Sequence, residues 1–192
     1  ELQKEINAAT QLQRVEDLYR PYKQKRRTRA AKAKEKGLEP LANLIWEQGD
    51  LELHKEAEKY LSEEHDLTSV EVVLEGANDI IAEWISDIPE HREFIRDITW
   101  KQGVLNSEVK DEQLDEKKVY EMYYDYSESV RSLVSHRILA LNRGEKEEVL
   151  RVQIQPPVEK IIDYLKRKTI KRSTTGQIAE FLEQAIADGY KR

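Results

Sequence analysis

From Val70 to Ile88 the apolar residues Val70, Val73, Leu74, Ala77, Ile81, Trp84, Ile85 and Ile88 return mostly at intervals of three and four, and Pro89 follows directly. At 3.6 residues per turn this spacing lays one apolar stripe along a helix at least four turns long, a period that no strand can use. Thr68, with Glu71 three residues on, predicts a capping box at the start. Proline has no amide hydrogen and clashes with the preceding turn, so the helix ends at Pro89. A stripe this long has to be covered by other elements.

The same period runs through most of the chain. Leu2, Ile6, Ala9, Leu12, Val15 and Leu18 predict one helix that Pro21 ends. Thr28 predicts the cap of a short helix carrying Ala30, Ala31 and Ala33 to a stop at Gly37. Pro40 fits the first turn of the next, with Leu41, Leu44 and Ile45 inward and Gly49 as its stop. Leu53, Ala57, Tyr60 and Leu61 suggest another. After Pro89 a helix carries Phe94, Ile95, Ile98 and Trp100 to Gly103, and its end, TWKQGVL, echoes the earlier IWEQGDL. In both a Trp stands three residues before a Gly, which reads as a helix-to-loop closure with an aromatic plug. A charged helix over residues 114–126 and another over 130–141, stopping at Gly144, are expected next. In EVLRVQIQ alone the period drops to two before Pro156 and Pro157, a strand whose partner would be residues 104–109 or 123–126. Val158, Ile161, Ile162 and Leu165 then share a helix face up to the basic run KRKTIKR. Thr174 and Gln177 form a second capping-box pattern ahead of Ile178, Phe181, Leu182, Ala185, Ile186 and Tyr190. The residues read as mainly α and multihelical, with at most one short strand pair.

With 192 residues, no cysteine and no apolar run long enough to cross a bilayer, the chain is expected to be a soluble intracellular type that folds without disulfides. It opens on Glu1 without a signal-peptide pattern and reads as a piece of a longer protein. Signatures of chemistry are missing. His54, His65, His91 and His136 are not spaced as a zinc motif, and the seven glycines never cluster into a phosphate-cradling loop. Carboxylate-rich stretches such as SEEHD and KDEQLDEKK read as solvated faces. No catalytic residue, metal site or cofactor is expected. His136 is expected to satisfy an internal hydrogen bond, and Arg137 to bridge to Asp125 or Glu128.

Against a net charge of −6, residues 20–36 hold nine Lys or Arg and one acid, Glu35. Lys23, Lys25, Arg26, Arg27, Arg29, Lys32 and Lys34 are candidate contacts to a nucleic-acid backbone, and Tyr22 or Tyr19 could stack on an unpaired base. The competing reading docks the block on the chain's own carboxylates. Cations converging on one exposed surface would favour the first, and cations paired with acids the second.

The run VEDLYRPYKQKRRTRAAKAKEKGLEPLA, residues 15–42, resembles the signature of the bacterial Tex proteins, the transcription accessory factors. VLEGANDIIAEWISD, WKQGVL, YYDYSESV and SHRILALNRGEKEEVLRV are similar to further family segments, in the same order. The resemblance implies a fragment of the family's amino-terminal region, with two helical subdomains joined by a long helix and helix-turn-helix-like elements. It implies a helical body over residues 1–144 and, over 145–192, a short strand with connecting helices, ending before a ribonuclease-H-like domain. It also implies a non-catalytic bacterial cytoplasmic protein without a membrane partner. Sequence-independent nucleic-acid binding would come largely from domains beyond this chain, with protein partners in the transcription machinery; the alternative is a helical scaffold that positions those domains.

Overall fold

The computed structural model describes residues 2–23 and 27–192. The elements run α1 (Leu2–Ala8), α2 (Leu12–Tyr19), α3 (Arg29–Glu35), α4 (Glu39–Glu47), α5 (Leu53–Glu58), α6 (Val70–Asp87), α7 (Pro89–Gln102), β1 (Val104–Val109), β2 (Asp125–Ser129), α8 (Ser135–Lys146), β3 (Leu150–Gln155), α9 (Val158–Thr169) and α10 (Gly176–Lys191). The chain is mainly α, and it divides into two compact units, residues 1–93 with 162–192, and residues 94–161. A boundary after residue 144 would fall within the second unit, where β3 pairs with β1.

In the first unit α6 is the central element, contacted by α3, α4, α5 and α10. Burial on several sides widens the single-stripe expectation: Ile80, at the edge of that stripe three residues after Ala77, is fully buried beside Val73, Ala77 and Ile81, and so is Ala82, which stands off it. Ser69, not Thr68, caps α6, its hydroxyl accepting from the Val72 N–H at 3.4 Å. The amino-terminal stripe is two helices rather than one. The chain leaves helical conformation after Ala8, and Gln11 stands extended, at φ −121° and ψ 135°, as the cap of α2. At the end of α4 it is Gln48, at φ 55°, and not Gly49 that takes the left-handed conformation. The Thr174 and Gln177 capping box does not form: Thr175 is the cap residue of α10, and the Thr174 hydroxyl donates to Gln48 Oε1 at 2.8 Å. Of the two paired tryptophans, Trp46 packs edge-on to Trp84 with centroids 5.8 Å apart, whereas Trp100 is 58% exposed and plugs nothing. The histidine that meets an internal partner is His91, whose Nδ1 donates to the Ile85 carbonyl at 3.1 Å; His136 is exposed.

The second unit is built on a three-stranded antiparallel sheet ordered β2-β1-β3: residues 104–109 are the partner of β3, while β2, which overlaps the other proposed segment only at 125–126, pairs with β1 instead, so the expected pair becomes three strands. β1 is central, with Leu105 opposite Glu128 on one side and Ile154 on the other. Leu105, Tyr120, Tyr123, Leu141, Val149 and Leu150 form its core. The helix expected over residues 114–126 is absent. Two 3₁₀ turns, Glu112–Leu114 and Glu121–Tyr123, stand there instead, and Lys118 at φ 51° cannot continue a helix. α8 runs through Gly144 rather than stopping at it. A Cβ at Gly144 would lie 2.6 Å from Leu150 Cδ1, so this glycine lets β3 approach the helix closely.

Asp115 explains why the 114–126 segment folds as it does. Its carboxylate is 6% exposed and accepts from the Val119 and Tyr120 N–H groups, each at 2.8 Å, and from the Tyr124 hydroxyl at 3.0 Å. Those amides are thereby withdrawn from any helix. Burial pushes the Asp115 carboxyl up, but the donated hydrogen bonds outweigh it and hold it below the usual carboxylate range. Burial and the bond to Asp115 push the Tyr124 phenol up to about 12. A depressed native value means that the stabilisation is present above the unfolded aspartate value of about 4 and is lost as pH falls through the native one. Asp115→Asn is expected to lower the melting temperature at pH 7 by several degrees and to flatten the acid limb below about pH 4. Thermal melts followed by near-ultraviolet circular dichroism read both, and an acid limb identical to that of the parent chain would refute the assignment.

Candidate nucleic-acid interface

The basic block begins in a 3₁₀ turn, Arg20–Tyr22, with Pro21 in its first positions, and resumes in α3. Thr28 caps α3 as expected, its hydroxyl accepting from the Ala31 N–H at 3.0 Å, and Gly37 follows at φ 81°. The small side chains set the orientation of the helix. Ala30 and Ala33 are buried toward α6, and a Cβ at Gly76 would stand 3.4 Å from the Ala33 Cβ and 2.3 Å from Leu38 Cδ1. With the alanine face turned inward, Arg29 and Lys32 face solvent.

The cations then fall into two sets. Arg20 pairs with Asp87 at 3.2 Å, Arg29 with Asp79 at 3.4 Å and Lys34 with Glu39 at 3.0 Å. Asp79 and Asp87 lie on α6 and are each 8% exposed, and Asp79 also takes the Arg192 guanidinium. Buried carboxylates need such partners, so Arg20 and Arg29 answer a structural demand. Lys34 Nζ also sits 5.8 Å over the Trp84 ring. Lys23, Arg27 and Lys32 are exposed and make no ion pair among the described residues. Tyr22 is 64% exposed and Tyr19 53%. Lys25 and Arg26 lie outside the described residues. A cleft of about 490 Å³ opens beside the block, with Lys23, Thr28 and Lys34 among its lining and Trp84 and Pro89 opposite them in sequence.

Sequence reasoning missed the buried acids. No local signal marked them: Asp79 and Asp87 follow Glu71, Glu75 and Glu83 at intervals of four on the polar side of α6, where solvated acids are expected. It also missed Gln48, which lines a larger cleft of about 810 Å³ with Asp50, His54, Ser173 and Thr174. Asp50, His54 and Ser173 are exposed there, and among the described residues no hydrogen bond joins His54 to a hydroxyl. In the second unit Arg137 bridges to Glu128 at 2.8 Å, one of the two acids expected for it. Among the described residues no group of three or more His, Cys, Asp or Glu is placed to hold a metal ion, and no helix is long and apolar enough to cross a membrane.

Residues 49–190 match the Tex central region-like family. The protein YdcI of Bacillus subtilis (strain 168) is 49% identical over 193 residues, covering 100% of this chain and 27% of its own length. Protein tex of Bordetella pertussis is 40% identical over 154 residues, covering 80% of this chain and 20% of its own length. The transcriptional accessory protein Tex of Neisseria gonorrhoeae is 34% identical over 155 residues, covering 81% and 20%. This chain therefore spans only 20–27% of the length of these relatives.

Proposed function

Because the chain belongs to the Tex central region-like family, we propose that it is a non-catalytic part of a longer transcription accessory protein and that its first unit contacts nucleic-acid backbone without reading sequence. The observation that carries this is the set of exposed cations Lys23, Arg27 and Lys32, which have no acid partner among the described residues, with Tyr22 open to solvent beside Lys23. Phosphate contact needs only such charges on a fixed support, and the alanine face of α3 supplies the support for Lys32. Lys25, Arg26, Arg29 and Lys34 are included as secondary candidates, the last two already engaged by Asp79 and Glu39.

A scaffold that positions neighbouring domains and meets protein partners of the transcription machinery is the second reading. It is favoured by the pairing of Arg20, Arg29 and Lys34 with carboxylates of the same chain.

Binding of labelled single-stranded RNA and duplex DNA, beside a Lys23→Gln/Arg27→Gln/Lys32→Gln variant, separates the two. Three phosphate contacts are expected to cost roughly 20- to 40-fold in affinity between 50 and 200 mM salt, and the variant should show a salt slope shallower by about 2 to 3. A folded variant that binds with the parent's affinity and slope would leave the scaffold reading in place.

A further inference from the structure

We propose that residues 166–172 form a second, independent contact for a nucleic-acid sugar-phosphate backbone. The proposal rests on reading the first unit as a nucleic-acid-contacting body, but on different residues. Lys166, Arg167, Lys168, Lys171 and Arg172 are five cations in seven positions with no acid among them. Arg167, Lys168, Lys171 and Arg172 are exposed. Lys166 pairs with Glu183 at 2.8 Å; among the described residues the others meet no carboxylate. Lys171 Nζ donates to the Glu47 carbonyl at 2.7 Å, and Lys168 Nζ lies 6.0 Å from the Tyr164 ring centroid, contacts that hold a cation without neutralising it. Among the described residues, four of the five cations here thus meet no carboxylate, as do four of the seven described cations in residues 20–36, where three are paired and Glu35 stands among them.

Cations in the last turn of a helix offset its dipole, which accounts for Lys166, Arg167 and Lys168 in α9. It does not account for Lys171 and Arg172, which lie beyond Thr169 in the linker to α10. That linker is pinned by one side chain. Gln48 donates from Nε2 to the Thr169 carbonyl at 2.8 Å, and its Oε1 accepts from the Lys171 N–H and the Thr174 hydroxyl, each at 2.8 Å. Cations carried on a backbone already held in place lose less conformational freedom when they bind.

The surroundings favour nucleic acid over an acidic protein. Protein interfaces centre on aromatic or aliphatic anchors, and no large apolar side chain is exposed between residues 159 and 192. Backbone contact needs cations and hydroxyls, and Ser173 and Thr175 stand exposed next to Arg172.

The test is fluorescence anisotropy on the 192-residue chain, with labelled duplex DNA and single-stranded RNA at 50 and 200 mM salt. The parent is compared with Arg167→Gln/Lys168→Gln/Arg172→Gln and with Lys23→Gln/Arg27→Gln/Lys32→Gln, circular dichroism confirming that each variant is folded. The first variant is expected to lose a salt slope of about 2 to 3 relative to the parent. If only that variant weakens, this inference stands and the opening-block reading falls. If only the second weakens, the opening block stands and this inference falls. A parent chain that does not bind at 50 mM overturns both, and equal displacement of RNA by poly-glutamate would assign the segment to acidic protein instead.

Discussion

Replacing Ile80 with alanine is expected to cost the first unit about 3 kcal/mol, as much as the same change at Ile81. Both side chains are fully buried: Ile80, three residues after Ala77 and four before Trp84, lies at one edge of the apolar stripe of α6, and Ile81 lies within it. Both costs come from the surroundings of α6, which is contacted by four helices and so has little surface left for water. Truncating a buried isoleucine removes its transfer free energy and leaves a cavity that a crowded helix closes poorly. Val72→Ala, on the same helix but 36% exposed, should change stability by less than about 0.5 kcal/mol. Urea unfolding of the three variants measures this directly. A cost at Ile80 below about 1 kcal/mol would mean that this edge of the stripe is not tightly packed.

Gly189→Val is expected to destabilise by about 2 kcal/mol, and Gly189→Ala to be net destabilising as well, against the intrinsic preference of helices for alanine, which is worth about 1 kcal/mol. The buried face of α10 is Ile178, Phe181, Leu182, Ala185, Ile186 and Gly189. At Gly189 this face comes so near α6 that a Cβ would lie 2.8 Å from the Ala82 carbonyl oxygen and 3.3 Å from the Ile85 Cβ. A backbone carbonyl cannot rotate aside, so relief requires one helix to move or the last turn of α10 to open. Gly49→Ala is the control, since a Cβ there meets nothing within 4 Å. Thermal melts in which Gly189→Ala is more stable than the parent would show that the two helices do not approach this closely.

The candidate interface was legible in part. Charge segregation singled out the block, and Thr28 and Gly37 marked the ends of its helix, because capping and left-handed turns depend on a few adjacent residues. Which cations remain unpaired could not be read, since Arg20 and Arg29 are claimed by Asp87 and Asp79 from positions 67 and 50 residues further along the chain. The same limit applied to Gln48, whose partners lie at Thr169, Lys171 and Thr174.

The fold divides in the same way. Helical period, proline stops and the alternation in β3 are local properties, and they determined from sequence alone that the chain is mainly α with one small β region. The segment over residues 114–126 went the other way: its composition suits a helix, yet buried Tyr120 and Tyr123 and the amide-collecting Asp115 hold it in short turns. Likewise Gly49 and Gly144 looked like stops, while the tertiary structure placed the left-handed residue at Gln48 and used Gly144 for a close approach. The amino-acid sequence by itself determined the mainly helical texture and where charge is concentrated, because both follow from residues within a few positions of one another. Only the tertiary structure decided which faces are buried, which glycines are contacts and which cations stay free, because each of those depends on side chains brought together from distant parts of the chain.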